Sequence, residues 1–378
     1  MRATVIIAAV VLAFGCGQAS RAGKADVPTY RGDSARTGAM PGPGPSGKPH
    51  VAWTFQADSA IRSSPTVSGD TVFVSAVDGV VHALEVSTGR ERWRTDVGAE
   101  LGAATPLAID GQMVVGDRAG LVHALDPKTG TERWRATVDG PIAGAAADGG
   151  DSIMVATESG TAYQIDPSSG EMEWQSELPG GVSRSIAATD DLVYCAVSGG
   201  LLVALRAHDG SIAWQAEVAT GGDGGTPTVA AGLAFAATGL DTDDLETRGV
   251  VALDARTGEM RWHLPSPTGA ATYTPAVVDD TAYIVSEDES VVAVDVDTGE
   301  LRWSVTTGAP NDALPSVWVD SLYVGTMGGT LQALDTSDGT LRWEVEIRGV
   351  PYSPVVTGGL VLVGTNAGVL YAFGSEAP

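Results

Sequence analysis

The stretch A-L-D-P-K-T-G-T-E-R-W, residues 124–134, decides the fold, because the chain repeats it. Versions of it occupy 83–93 (A-L-E-V-S-T-G-R-E-R-W), 164–174 (Q-I-D-P-S-S-G-E-M-E-W), 204–214 (A-L-R-A-H-D-G-S-I-A-W), 252–262 (A-L-D-A-R-T-G-E-M-R-W), 293–303 (A-V-D-V-D-T-G-E-L-R-W) and 333–343 (A-L-D-T-S-D-G-T-L-R-W). A glycine stands four places before every one of these tryptophans, and with Trp53 they form a ladder spaced by 40, 41, 40, 40, 48, 41 and 40 residues. A fixed period of this length marks a chain built from one repeated supersecondary unit.

Each unit reads as four short strands. In 64–97, S-P-T-V is followed by an S-G-D turn, T-V-F-V-S-A by D-G, V-V-H-A-L-E by S-T-G, and R-E-R-W-R-T closes the unit. Alternating and β-branched residues between glycine turns are strand signals, and no stretch sustains helical periodicity. Four strands per repeat predict one propeller blade per repeat, hence an all-β, eight-bladed β-propeller with four antiparallel strands per blade. The last unit ends at V-L-Y-A-F (369–373) without a fourth strand, and V-A-W-T-F-Q (51–56) has no repeat before it. That N-terminal strand is expected to complete blade eight and remove the open edges.

The repeated phrase resembles the tryptophan-docking motif A-x-D-x-x-T-G-x-x-x-W of the PQQ-like (quinoprotein) repeat family, over about 51–374. The resemblance implies that Trp93, Trp134, Trp174, Trp214, Trp262, Trp303 and Trp343 are structural docking residues, each packing against the next blade. Repeat four departs, with Arg206 for Asp and Asp209 for Thr, and is expected to dock less well. R-G-D-S-A-R-T-G (31–38) resembles a lead-in common in exported proteins of this type. Quinone-dependent alcohol dehydrogenases of this fold are implied to use adjacent cysteines over the quinone and calcium held by Glu, Asn and Asp. The chain has two cysteines, Cys16 and Cys195, far apart, so neither PQQ nor catalysis is expected. In architecture the chain is similar to the BamB family of outer-membrane assembly lipoproteins.

The N-terminus M-R-A-T-V-I-I-A-A-V-V-L-A-F-G-C has one basic residue, an apolar run and small residues, which is a signal-peptide pattern too short for a membrane span. Cys16 at its end resembles a lipidation site. The reading is therefore a signal peptide over 1–15, a lipid-anchored flexible tether over Gly/Pro/Ser-rich 16–50, and the propeller over 51–378, exported to the cell envelope. Ordinary cleavage nearby, with Cys16 incidental, is the plainer alternative. Cys195 lies in a strand-like run and reads as a buried, inert thiol. With 22 Lys+Arg against 47 Asp+Glu, the net charge of −25 argues against nucleic acid.

Strand order puts the turns between second and third strands on the same face as the blade-connecting loops. Arg62, Arg184, Tyr273, Asn311, Asp312 and Tyr352 lie just before innermost strands on that face and are the expected partner or ligand residues. Taken singly, each reads equally well as an ordinary polar rim residue. The longest turn, Gly239 to Gly249, carries Asp241, Asp243, Asp244 and Glu246. Calcium there is a weak expectation, and a solvated acidic loop the stronger one. His82 and His123 recur in successive blades, but Tyr163 and Val203 follow them, so packing outweighs a metal site. The expected function is a monomeric, non-catalytic envelope scaffold with a protein partner. A small-ligand or ion sensor, and a PQQ-dependent oxidoreductase, are the alternatives.

Overall fold

The computed structural model describes residues 26–219, 225–238, 248–266, 268–270, 272–311 and 313–375. Among them there is no helix, and the strands form eight four-stranded antiparallel sheets arranged as an eight-bladed propeller. A representative blade is β6 (Leu107–Ile109), β7 (Gln112–Gly116), β8 (Leu121–Leu125) and β9 (Glu132–Thr137), in chain order from the axis outwards. Every residue of β7 is buried, because both faces of a middle strand pack on neighbouring blades, whereas β9 is largely exposed. The last sheet has the order β1 (His50–Gln56), β32 (Val369–Gly374), β31 (Leu360–Gly364), β30 (Val355–Thr357). Trp53 sits opposite Ala372 and Gln56 opposite Val369, so the N-terminal strand closes the ring as its sequence position implies.

The repeated phrase acts at the blade boundary. Between β8 and β9 the register slips, with Ala124 opposite Trp134 and Leu125 opposite Glu132. Arg133 is the extra residue, and the bulge turns its guanidinium onto Asp126 at 2.6 Å. The Asp126 carboxylate also accepts the amides of Lys128 and Thr129, which shapes the T-G turn. Trp134 then reaches the following blade, where its indole Nε1 donates to Pro167 O at 2.9 Å. Trp93, Trp174, Trp214, Trp262 and Trp303 make the same bond to Pro127, Ala207, Ala255, Val296 and Thr336, and Trp53 makes it to Val86. Trp343 is buried, its ring 5.8 Å from that of Tyr323.

Repeat four is expected to receive its tryptophan less well, but its loop holds the same shape. Trp174 Nε1 lies 2.9 Å from Ala207 O, and Gly210 underlies the ring as its equivalents do. The missing aspartate is replaced from within the turn, where Asp209 Oδ1 accepts the Ser211 amide and hydroxyl.

The tether expected over 16–50 is corrected for its described part. Residues 27–43 run around the inside of the channel and hydrogen-bond to the innermost strand of every blade in turn. Val27 exchanges two backbone bonds with Val67, at 2.8 and 2.9 Å. Ala108 N donates to Pro28 O, Asp148 N to Ser34 Oγ, Ala188 N to Ser34 O, and Val229 N to Ala35 O. Val277 N donates to Thr37 O, Val317 N to Gly38 O, and Gly42 N to Val356 O. Innermost strands would otherwise present unpaired amides to the channel, and this segment satisfies them.

Two arginines pin the segment from inside, both 0% exposed. Arg36 donates to Ile186 O, Ala146 O and Thr29 Oγ1, and Arg31 to Thr228 Oγ1 and Pro275 O. Burial pushes both guanidinium groups down to about 10, so both stay charged at neutral pH. The R-G-D triplet is therefore not displayed. The small residues serve close approach rather than flexibility. A methyl at Gly42 would fall 1.8 Å from Trp318 Nε1, and one at Gly44 2.4 Å from the Tyr323 hydroxyl. Residues 1–15, Cys16 and the rest of 16–25 lie outside the described residues.

Candidate functional site at the channel mouth

The two faces of the ring differ in chemistry. The D-x-x-T-G turns crowd one face, and their carboxylates are spent on their own amides and on the bulge arginines. Arg261, Arg302 and Arg342 meet Asp254, Asp295 and Asp335 at 2.6, 2.8 and 2.6 Å. The Arg261 hydrogen bond holds Asp254 down to about 2, and at Asp335 the Ser337 hydroxyl, followed by Arg342, does the same. The opposite face carries the blade-connecting loops and the turns between second and third strands.

On that second face the channel opens into a cavity of about 600 Å³. Its wall includes Arg62, Arg184, Tyr273 and Tyr352, all on connecting loops. Arg118 and Glu158, from turns between second and third strands, form a bidentate pair at 3.0 and 3.1 Å that joins blades two and three. Glu287 lines it from blade six and accepts the Tyr273 hydroxyl at 3.0 Å. Tyr30, from the segment that fills the channel, also lines it, with the Arg36 guanidinium 5.7 Å from its ring centre.

Four of the six residues expected on this face thus converge on one cavity. Asn311 does not, and is corrected to a structural role. It is 0% exposed, its Nδ2 donates to Ser286 O at 2.9 Å, and its Oδ1 accepts Thr307 Oγ1 at 3.1 Å. Its place before an innermost strand is right, but the side chain turns into the blade to satisfy backbone groups. Asp312 and the acidic Asp241, Asp243, Asp244 and Glu246 lie outside the described residues. Sequence reasoning missed Arg118, Glu158 and Glu287, although their place in turns between second and third strands signalled the face. Tyr30 carried no such signal, because its segment reads as linker by composition.

His82 and His123 are buried and held by carboxylates. His82 Nδ1 lies 2.7 Å from Glu91, and His123 bridges Glu132 and Asp117, both at 2.9 Å. Among the described residues no three His, Cys, Asp or Glu side chains are grouped to hold a metal ion. The quinone site implied by the repeat resemblance does not fit these residues. Cys195 is buried in its strand, and burial pushes its thiol up to about 12. Among the described residues no cysteine or asparagine lines the cavity, and the channel beneath it is occupied by the Val27–Pro43 segment with its two arginines.

Comparison with known proteins agrees on the fold. BamB from Moraxella catarrhalis superposes with a TM-score of 0.71 at 23% identity, covering 86% of this chain and 99% of that one. Quinohemoprotein alcohol dehydrogenase from Comamonas testosteroni superposes with a TM-score of 0.74 at 16% identity, covering 94% and 81%. A europium-containing methanol dehydrogenase gives 0.74 at 14%, covering 93% and 98%. At these identities the likeness shows the propeller alone. No curated protein sequence matches the chain significantly. A family model described as outer membrane protein assembly factor BamB matches residues 46–120, 118–226, 204–319 and 313–376. With its ring of repeats matched almost end to end, the chain belongs to this BamB family of PQQ-like propellers.

Proposed function

We propose that the chain is a non-catalytic scaffold of the cell envelope, anchored through Cys16, that holds a protein partner on the face bearing the cavity and the connecting loops. The family description, an assembly factor, supports the class of role. One observation carries the choice of face. The turns of the other face are consumed by tryptophan docking and by Asp–Arg pairs, whereas Arg62 and Arg184 are exposed at the mouth and meet no carboxylate within 4 Å among the described residues. Exposed charges around a concave site steer association and select partners. A quinone-dependent oxidoreductase has fold likeness in its favour, and the filled channel and cavity chemistry against it.

The anchor supports the same face. Asp26 accepts the Gly69 amide, so the chain joins the ring on the side of the T-G turns. Ten residue steps from Cys16 to Asp26 span at most about 35 Å. A lipid at Cys16 would hold the turn face toward the membrane and leave the cavity face pointing away. The test is crosslinking in the native envelope. Arg184→Glu, and separately deletion of Gly239 to Gly249, should each lower recovery of the crosslinked partner without lowering the melting temperature. Undiminished recovery in both variants, with loss on mutating the T-G turns, would place the partner on the other face.

A further inference from the structure

We infer that the channel-mouth cavity is a binding site for a small polar carboxylate, held by Arg62 and Arg184 and by the wall around Thr274. This goes beyond protein docking and does not depend on it. A cavity of about 600 Å³ falls within the usual range for small-molecule sites, roughly 300–1,000 Å³. Its lining is polar and its floor is a fixed part of the fold, since the segment bearing Tyr30 is bonded to all eight blades.

The charge pattern selects an anion. The chain carries 47 acidic residues, and nine of the 17 described arginines have a carboxylate of another described residue within 4 Å. Most bulge arginines are paired, and Arg118 is satisfied by Glu158. Among the described residues Arg62 and Arg184 meet no carboxylate within 4 Å, and they approach the same cavity, which Glu100 also lines, from the loops entering blades one and four. A guanidinium offers a planar fork of donors that matches a carboxylate.

The third contact comes from an unmet hydroxyl. Two residues before the first position of the innermost strand, Thr105 Oγ1 in blade two accepts the Ser64 amide and Ser185 Oγ in blade four accepts the Ala145 amide. Thr274 occupies the equivalent place in blade six and lines the cavity. It is 1% exposed, and its hydroxyl has no hydrogen-bond partner among the described residues. A buried polar group without a partner is rare, and here a ligand would supply one. Glu287 beside it would accept from a hydroxyl or ammonium group. The ligand class is thus an acid at one end and a hydrogen-bond donor at the other, such as a hydroxy acid, sugar acid or amino acid. The C-terminus of a peptide presents the same carboxylate.

The experiment is calorimetric titration of the purified full chain. The probes are glucuronate, glutamate, glucose, and one tetrapeptide with either a free or an amidated C-terminus. Saturable binding is expected for at least one carboxylate probe and not for glucose or the amidated peptide. Binding to the free-acid peptide alone would identify a chain terminus as the source of the carboxylate. Arg62→Gln and Arg184→Gln should each weaken binding about tenfold, the loss of one charged hydrogen-bond set. Thr274→Val should weaken it less, with unchanged melting. The inference is overturned if no carboxylate probe binds in the millimolar range, or if all three variants bind as the parent does. Because no partner protein is present, this result is independent of the crosslinking experiment.

Discussion

The indole of Trp134 covers Gly170 of the following blade so closely that a methyl group there would lie 2.6 Å from Cε3. Gly170 also has φ +75°, a conformation that side chains resist. Contact and backbone together explain why this glycine recurs in every repeat. Gly170→Ala should therefore destabilise by more than about 2 kcal/mol, as strain and overpacking add. Gly111→Ala shares the positive φ but meets nothing within 4 Å, and should lose only about 1 kcal/mol. Equal losses in chemical denaturation would refute the role of the contact. Trp134→Ala, which also removes one of the two donors to Pro167 O while Gln112 Nε2 remains, should lose about 3–5 kcal/mol.

Arg36 is the measure of the channel segment. Arg36→Met removes the donors to Ile186 O and Ala146 O and leaves the second with only the long bond from Thr29 Oγ1, at about 1–3 kcal/mol for each weakened buried carbonyl. A loss of at least about 3 kcal/mol is expected in urea unfolding. A tether would lose nothing, so a change under about 1 kcal/mol would return 26–43 to that reading.

Deleting His50–Gln56 strips the outer strand from β32 and leaves the last blade with three strands. A lower melting temperature and concentration-dependent aggregation should follow, because β32 becomes an open edge. Melting like the parent would contradict closure.

Acid should loosen the T-G turns first. The Asp254 carboxyl is held down to about 2 by its hydrogen bond with Arg261, against 3.8 in an unpaired state. Its contribution to stability is complete above about pH 4 and is lost as the pH falls toward 2. Asp254→Asn should flatten stability over that window. An identical slope in parent and variant between pH 4 and 2 would show that the pair does not contribute.

Cys16→Ser should release the protein from membranes in its own host. Equal retention of parent and variant in the membrane fraction would show that another segment provides the anchor.

The repeat made the fold legible before any coordinates. A tryptophan and a glycine at fixed spacing, flanked by strand-like runs, leave few ways to bury the apolar faces, and a unit that cannot bury its faces alone must stack. Ring closure was legible too, because one unit lacked the strand that the N-terminus had in excess. The face of Arg62, Arg184, Tyr273 and Tyr352 followed from counting strands. Asn311 did not follow, since the direction of a side chain depends on which carbonyls lie beside it, here Ser286 and Ser290. Residues 26–50 were the largest misreading. Glycine and proline look alike in a flexible linker and in a segment threaded past Trp318 and Tyr323, and only the distance to those side chains separates the two. Local sequence determined the blades, because their contacts recur at a fixed spacing. Tertiary structure alone decided what fills the channel, because Arg31 and Arg36 find acceptors 110 to 244 residues away.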